Sequence, residues 1–230
     1  QPDRMAATDR RDTNSEEAMP PSKEAKLEGS ARDRLLAAAD DLFYSHGIQA
    51  VGIDRVIERA GVAKASLYNT FGSKDELVRA YLEQRGERRK ERIENRIAEY
   101  EDVRDKMLAV FEVQADSVAA PTFRGCAFLN ASAEDPGGET TAREVSAGIR
   151  RWLHGRLQEL ARDLGVASPD DLAKQIAMLY DGASVAATFD HDRKAPERAM
   201  GIAALLIDTA LEAAGAAARG GAPSPRARRR

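Results

Sequence analysis

An all-α protein is what this sequence predicts, and three observations predict it. Charged residues make up 32% of the 230 and aromatic residues only 5%, and alanine, leucine, glutamate and arginine, which lose little on entering a helix, are abundant. Apolar residues recur at three- and four-residue intervals rather than alternating. Serine and glycine stand where those patterns begin and stop. A chain of this length can bury a substantial core.

The elements follow in order. Residues 1–29 are polar, carry charge of both signs and contain the pair Pro20 and Pro21, so they cannot bury enough apolar surface to order themselves and read as a disordered arm. Ser30, with Asp33 three residues on, opens a first helix that carries Leu35, Leu36, Ala39, Leu42 and Phe43 on one face and stops at Gly47. A second places Ile53, Val56, Ile57 and Ala60 at i, i+3, i+4 and i+7 and meets Gly61. A third covers about Lys64 to Phe71, with Leu67 and Phe71 one turn apart, Val62 just ahead and Gly72 as terminator. Ser73 and Glu76 form a capping box for a fourth, which turns Leu77, Val78, Tyr81 and Leu82 inward. Its continuation, Gly86 to Asp102, reads as a solvated remainder with no DNA role. The head thus spans 30–82, a larger helical part spans 83–217, and 218–230, rich in glycine, proline and arginine, reads as a disordered basic tail.

Composition excludes several classes. The formal net charge of −3 argues only weakly against a general coat of positive charge, and a local basic face suffices for phosphate, because screening limits reach to about 8 Å. A single cysteine, Cys126, leaves no internal disulfide and no multi-cysteine zinc site. No apolar run approaches the roughly 20 residues that span a bilayer, and the N-terminal stretch lacks a signal-peptide core. A cytoplasmic protein with no membrane partner is the expectation. There is no GxSxG elbow, no phosphate-cradling glycine loop and no HExxH, and His46, His154 and His191 are scattered. No catalytic set and no cofactor are expected. Asp190, His191 and Asp192 cluster as a metal site would, but a charged turn between helices accounts for them better, and no metal is expected.

Two short helices joined by a glycine-containing turn make a helix-turn-helix, whose second member fits a major groove about 12 Å wide. Leu67, Phe71 and Val62 would hold the third helix down and leave Lys64, Ala65, Ser66, Tyr68 and Asn69 facing outward. Helix N-termini at Ile53, capped by Gly52, at Lys64 and at Lys74 offer free N–H groups to phosphates, and the Tyr68 hydroxyl can donate to another. By pattern alone, a compact helical corner with solvated lysines explains these residues equally well.

Ala38, Phe43 and Gly47, followed by IDRVIERAGVAKASLYNTFGSKDELV, resemble the DNA-binding head of the TetR family of bacterial transcriptional regulators. The resemblance implies that the third helix reads the major groove and that the tyrosine and second lysine grip phosphates, roles that fall on Lys64, Ala65, Ser66, Tyr68, Asn69 and Lys74. One departure is Val51 and Gly52, where relatives carry a hydroxyl residue capping the second helix, so a phosphate contact is lost while Gly52 still caps. RGCAFLNASAEDPGG, from Arg124 to Gly138, resembles a motif of a subset of the family that begins a helix of the effector domain. The full expectation is an all-α chain with an N-terminal three-helix helix-turn-helix DNA-binding domain, linked by a long helix to a larger ligand-binding and dimerisation domain.

Beyond residue 83 the patterns are helical and carry little else. Two late helices bear Ile176, Leu179 and Val185, then Ile202, Leu205, Leu206 and Leu211; in relatives such helices pair with their twins as a four-helix dimer interface, and an ordinary intrachain core is the competing reading. Met107, Phe111, Phe123, Cys126, Phe128, Trp152, Met178, Tyr180 and Phe189 are candidates for a ligand pocket, most of them equally suited to plain core. Cys126 is an inert buried thiol unless a basic neighbour activates it, and Arg124 is the one that sequence suggests. These readings combine into a homodimeric regulator that binds double-stranded operator DNA and is released by an unidentified small-molecule effector. A helical carrier with an unused head, and an enzyme acting through His154 or Cys126, are the competing classes.

Overall fold

The computed structural model describes residues 29–134 and 140–220, with side chains described as far as Ala216. The expected arm before Gly29, the last four residues of the Arg124 to Gly138 motif and the basic tail beyond Gly220 lie outside the described residues. Helices and their connections account for everything described: α1 Ala31–His46, α2 Ile53–Ala60, α3 Lys64–Phe71, α4 Lys74–Ala98, α5 Val103–Ala119, α6 Ala127–Ala133, α7 Thr141–Asp163, α8 Pro169–Phe189 and α9 Ala195–Gly220.

The first four helices begin where their caps put them. Ser30 and Asp33 make a reciprocal capping box, the serine hydroxyl accepting from the Asp33 N–H at 3.2 Å and the Asp33 carboxylate accepting from the Ser30 N–H at 3.1 Å. Those bonds from the Ser30 side chain and backbone hold the Asp33 carboxyl below its ordinary value. At α4 only half of the expected box forms: Ser73 accepts from the Glu76 N–H at 3.1 Å, while the Glu76 carboxylate turns forward to Arg79. The turn between α2 and α3 is a Schellman closure. Gly61 sits at φ 61° and ψ 43°, its N–H reaching the Glu58 carbonyl and the Val62 N–H that of Ile57. A side chain at that left-handed position would be strained. Arg34 of α1 donates to the Gly61 carbonyl at 3.3 Å and ties the turn to the head.

Two apolar cores result. The first gathers α1 to α3 and the start of α4 around Leu35, Phe43, Leu67, Leu77 and Tyr81, and it also takes in Phe128 and Ala131 of α6 and Ala142, Val145 and Ile149 of α7. The second joins α5, α8 and α9 to the end of α4 and the rest of α7, around Met107, Phe111, Leu157, Ile176 and Ile207. Helix α4 therefore belongs to both. Its expected solvated remainder is corrected: Gly86, Ile93 and Ile97 are buried, because α5 and α7 pack along that length.

Helix α9 also departs from expectation. Ala195–Ala216 is long and apolar enough to cross a membrane, with mean hydropathy 1.5, where no such run was anticipated. Ile202, Leu205, Leu206, Ile207 and Leu211 together with many alanines produce that figure. It is seated in the second core, with Ala203 and Ile207 fully buried, and the bidentate Arg104–Asp208 pair, at 2.6 and 2.9 Å, pins it to α5. That pairing holds the Asp208 carboxyl below its ordinary value.

Leu67 has no exposed surface and is the residue that fastens α3 to the head. Leu67→Ala should cost about 2–5 kcal/mol, as large-to-small core changes do. Urea denaturation followed by circular dichroism measures it, and a loss under 1 kcal/mol would mean that α3 is held some other way.

Candidate nucleic-acid interface and internal cavities

Helix α3 is eight residues long and buries only Leu67 completely; Val62 and Phe71 pack partly against the same core. The opposite face presents Lys64, Ala65, Tyr68 and Asn69 to solvent, with Ser66 half-buried at its edge. Tyr68 is 46% exposed, the only large apolar side chain so exposed outside α8 and α9 among the described residues. The three helix N-termini expected to face phosphates are present: α2 behind Gly52, α3 behind Ala63 and α4 behind Ser73. Neither Gly52 nor Ala63 supplies a side-chain cap, so the first N–H groups of both helices are free of side-chain acceptors.

The two lysines are held differently. Lys64 donates to the Asp54 carboxylate at 2.9 Å, both side chains being well exposed, and that hydrogen bond raises its pKa above the ordinary lysine value. Exposed pairs of this kind exchange partners readily. Lys74 turns back into the head, donating to the Ile48 carbonyl at 2.7 Å with its ammonium 6.0 Å from the Phe43 ring centre. An ammonium has three donors, so two remain.

Behind the head lie two adjoining cavities. One, of about 400 Å³, opens between α1, α4, α5, α8 and the segment leading into α6; its walls include Asp40, Tyr44, Phe123, Cys126, Phe128 and Tyr180, with four arginines of α4, at 85, 88, 89 and 92. The other, of about 490 Å³, lies between α6, α7 and α8, with Phe128, Leu129, Ile149, Trp152, Leu153 and Val185 as its apolar wall. Both volumes fall within the range of small-molecule sites. Arg89, Cys126, Phe128, Tyr180 and Ser184 line both. Gln114 donates to the Tyr180 carbonyl at 3.0 Å and to Ser184 at 2.7 Å, leaving its buried side-chain oxygen unpaired.

Of the pocket candidates, Phe123, Cys126, Phe128, Trp152 and Tyr180 are on these walls. Met107 and Phe111 are instead fully buried core residues. Met178 and Phe189 point away from both cavities, at 72% and 60% exposure, because they lie on the face of α8 opposite Ile176. The arginines of α4 escaped sequence reasoning, although their spacing of i, i+3, i+4 and i+7 is a helix face. Cationic surface helices share that spacing, so the signal was not distinctive. Arg124 does not approach the Cys126 sulfur; it folds onto the Pro121 and Phe123 carbonyls, and Arg89 lies 3.9 Å from that sulfur instead. Among the described residues no group of three or more His, Cys, Asp or Glu converges as metal ligands would. Asp192 accepts from the Lys194 N–H at 3.1 Å and pairs with Arg198 inside the α8 to α9 turn.

A short exposed helix seated by one leucine across a left-handed glycine turn, on an all-helical body holding ligand-sized cavities, defines a helix-turn-helix transcriptional regulator. Residues 35–81 match the family of bacterial regulatory proteins of the tetR type. The chain is 32% identical to a TetR-family transcriptional regulator from Streptomyces coelicolor, with 80% of this chain and 95% of that one covered and a TM-score of 0.69. It is 33% identical to a tetR-type regulator from Streptomyces avermitilis, with 81% and 99% covered and a TM-score of 0.63. Over 52 residues it is 46% identical to the HTH-type transcriptional activator FasR of Mycolicibacterium smegmatis, which is 23% of this chain and 24% of that protein. The chain belongs to the TetR family of bacterial transcriptional regulators.

The joint between head and body turns on Tyr44, whose hydroxyl donates to the Gly125 carbonyl and accepts from the Arg124 N–H, each at 2.9 Å. Tyr44→Phe should lower stability by about 1–3 kcal/mol, since two backbone groups lose a partner. Chemical denaturation reads that loss; an unchanged midpoint would show that the joint does not depend on this hydroxyl.

Proposed function

We propose that the chain is a homodimeric repressor that grips its operator through α3 and is released when a small molecule enters the cavities behind the head. The observation that carries the DNA reading is the outward face of α3. Leu67 is its one fully buried residue, and apart from the exposed Lys64–Asp54 pair the side chains of Lys64, Ala65, Tyr68 and Asn69 face outward, with Ser66 at their edge, on a helix short enough to enter a major groove. The N-termini at Ile53, behind Gly52, and at Lys74 flank it and suit backbone phosphates, with Tyr68 and Lys74 as side-chain donors. Lys64 would leave Asp54 for a phosphate.

Dimerisation is supported by where the exposed apolar surface lies. Met178 and Phe189 fall in one row on α8, with Val185 at its edge toward the second cavity, and Ile202 and Leu205 on the adjacent face of α9, all between 44% and 72% exposed. A contiguous apolar patch on two paired helices calls for a partner, and a twofold copy supplies one while placing two heads on successive half-sites. One relative, 46% identical over 52 residues, is a named activator. Heads of this kind deliver the protein to DNA, and the sign of regulation would come from where the operator lies. The cytoplasm, where the DNA is, is the proposed site of action.

Release follows by linkage if ligand favours a body shape that spaces the heads wrongly. Phe128 supports that route, because it lines both cavities and is part of the head core.

Two experiments test this reading. Fluorescence anisotropy on the chain's own upstream DNA should show affinity falling with salt, and Lys74→Ala should reduce the log–log slope by about one per head. Tyr68→Phe should weaken binding across sequences. Unchanged slopes for both would remove the phosphate assignments. Sedimentation should give a dimer for the native chain, and Leu205→Glu combined with Phe189→Glu should give a folded monomer with far weaker DNA binding; a dimer that survives both changes places the interface elsewhere.

A further inference from the structure

Among the described residues, Arg89 is a guanidinium without a carboxylate partner. It donates to the Tyr180 hydroxyl, approaches the Cys126 sulfur at 3.9 Å and lies over the rings of Phe128 and Tyr180 at 5.6 and 5.3 Å. No carboxylate among the described residues pairs with it. The acids on the cavity walls are engaged by other cations: Asp40 by Arg85 and Arg88, Asp116 by Arg96 at 3.1 Å, and Asp181 by Arg150 at 2.9 Å. The first cavity carries four arginines to two aspartates, and the second three arginines to one aspartate.

Aromatic faces and one hydroxyl compensate only part of the cost of withdrawing a cation from water. An anion arriving at this point would complete the compensation. A guanidinium offers parallel N–H donors matched to a carboxylate, and is the residue type best suited to a partly desolvated ion pair. The second cavity suits the rest of the ligand: its apolar wall is Phe128, Leu129, Ile149, Trp152 and Leu153, with serines and the Arg150–Asp181 pair among its other lining groups. Of the chamber's three arginines, Arg150 holds Asp181 and Arg143 stands exposed at the rim, so Arg89 is the one withdrawn from the surface without a carboxylate, and it matches one negative charge on an apolar body.

We propose that the effector is an organic monocarboxylate, its carboxylate paired with Arg89 and its aliphatic or aromatic portion in the chamber beside Trp152. This inference rests on reading the body as the effector-binding part. No covalent step is involved. Arg89 would be the specificity-determining residue, and Phe128, which lies against both Arg89 and the head core, would be the first residue to sense the pairing.

The chain has a single tryptophan, and it lines the chamber, so its emission reports occupancy directly. Full-length protein is titrated with decanoate and 4-phenylbutyrate and with their neutral amides, decanamide and 4-phenylbutyramide. The expected result is saturable change with at least one acid, and binding of its amide weaker by roughly tenfold or more, as loss of a charged hydrogen-bond partner implies. Arg89→Met should bring acid and amide to the same affinity, while Arg89→Lys should retain part of the difference. Equal affinity of acid and amide for the native chain overturns the proposal, as does saturation by neither acid; both results need no variant to fold. Anisotropy on upstream DNA is read in parallel. Arg89-dependent acid binding that leaves DNA affinity unchanged would sink ligand-driven release and leave this assignment standing. DNA affinity altered equally by amide and acid would do the reverse.

Discussion

Helix α4 is the one element that neither half of the molecule can be built without. Its first two turns place Leu77, Val78, Tyr81 and Leu82 in the head core, and its last two place Ile93 and Ile97 in the body core. At 25 residues the rod is about 37 Å long, and it cannot shorten without breaking hydrogen bonds along its length. Any change in how the body packs on its C-terminal end must therefore appear at its N-terminal end as a tilt or a shift. The arginines between the two buried ends, Arg85, Arg88, Arg89 and Arg92, face the cavity at that midpoint. A ligand bound there, as proposed, would act on the lever close to its fulcrum.

The head is also braced from behind. Gln49 donates its N–H to the Glu134 carboxylate at 2.8 Å, Arg79 pairs with Glu144 at 3.0 Å, and Arg85 stacks on the Tyr44 ring at 3.8 Å while holding Asp40. Phe128, Ala131 and Ile149 extend the head core into α6 and α7. The core built on the first three helices thus reaches past residue 83 into α6 and α7. Polar contacts with partial exposure contribute little stability each, so the brace is suited to rearrangement in a way that the apolar cores are not. That division of labour, with rigid cores joined by exchangeable polar contacts, would give the proposed effector a low-cost route to the head.

What sequence alone could disclose follows from how local each interaction is. Ser30 with Asp33, Gly61 as the left-handed turn and Leu67 with Phe71 are separated by four residues or fewer, so caps and helical spacing located the first three helices. The face of α3 was legible for the same reason. In the body, the interactions that fix the site join distant residues: Arg89 to Tyr180 across 91 positions, Arg104 to Asp208 across 104, Tyr44 to Gly125 across 81. Nothing in periodicity pairs them. Arg89 looked like one more surface cation, and only the tertiary fold that lays α6 and α8 over α4 withdraws it from water.

The same limitation explains the apolar faces of α8 and α9. Ile176 and Met178 are two residues apart and both apolar, yet one has no exposed surface and the other is 72% exposed. Hydropathy sums over both faces, which is how α9 comes to satisfy a membrane-span criterion while only 17% of the span is buried. A helix that buries Ala203 and Ile207 on one side and displays Ile202 and Leu205 on the other is saturated toward its own core and unsaturated outward. Gly182 and Gly201 lie among the displayed residues with open space over them, so a facing helix can approach closely. Burying that surface against a twin would remove the apolar exposure and fix the separation of the two heads in a single step, because α8 also forms the floor on which Arg89 and its cavity rest.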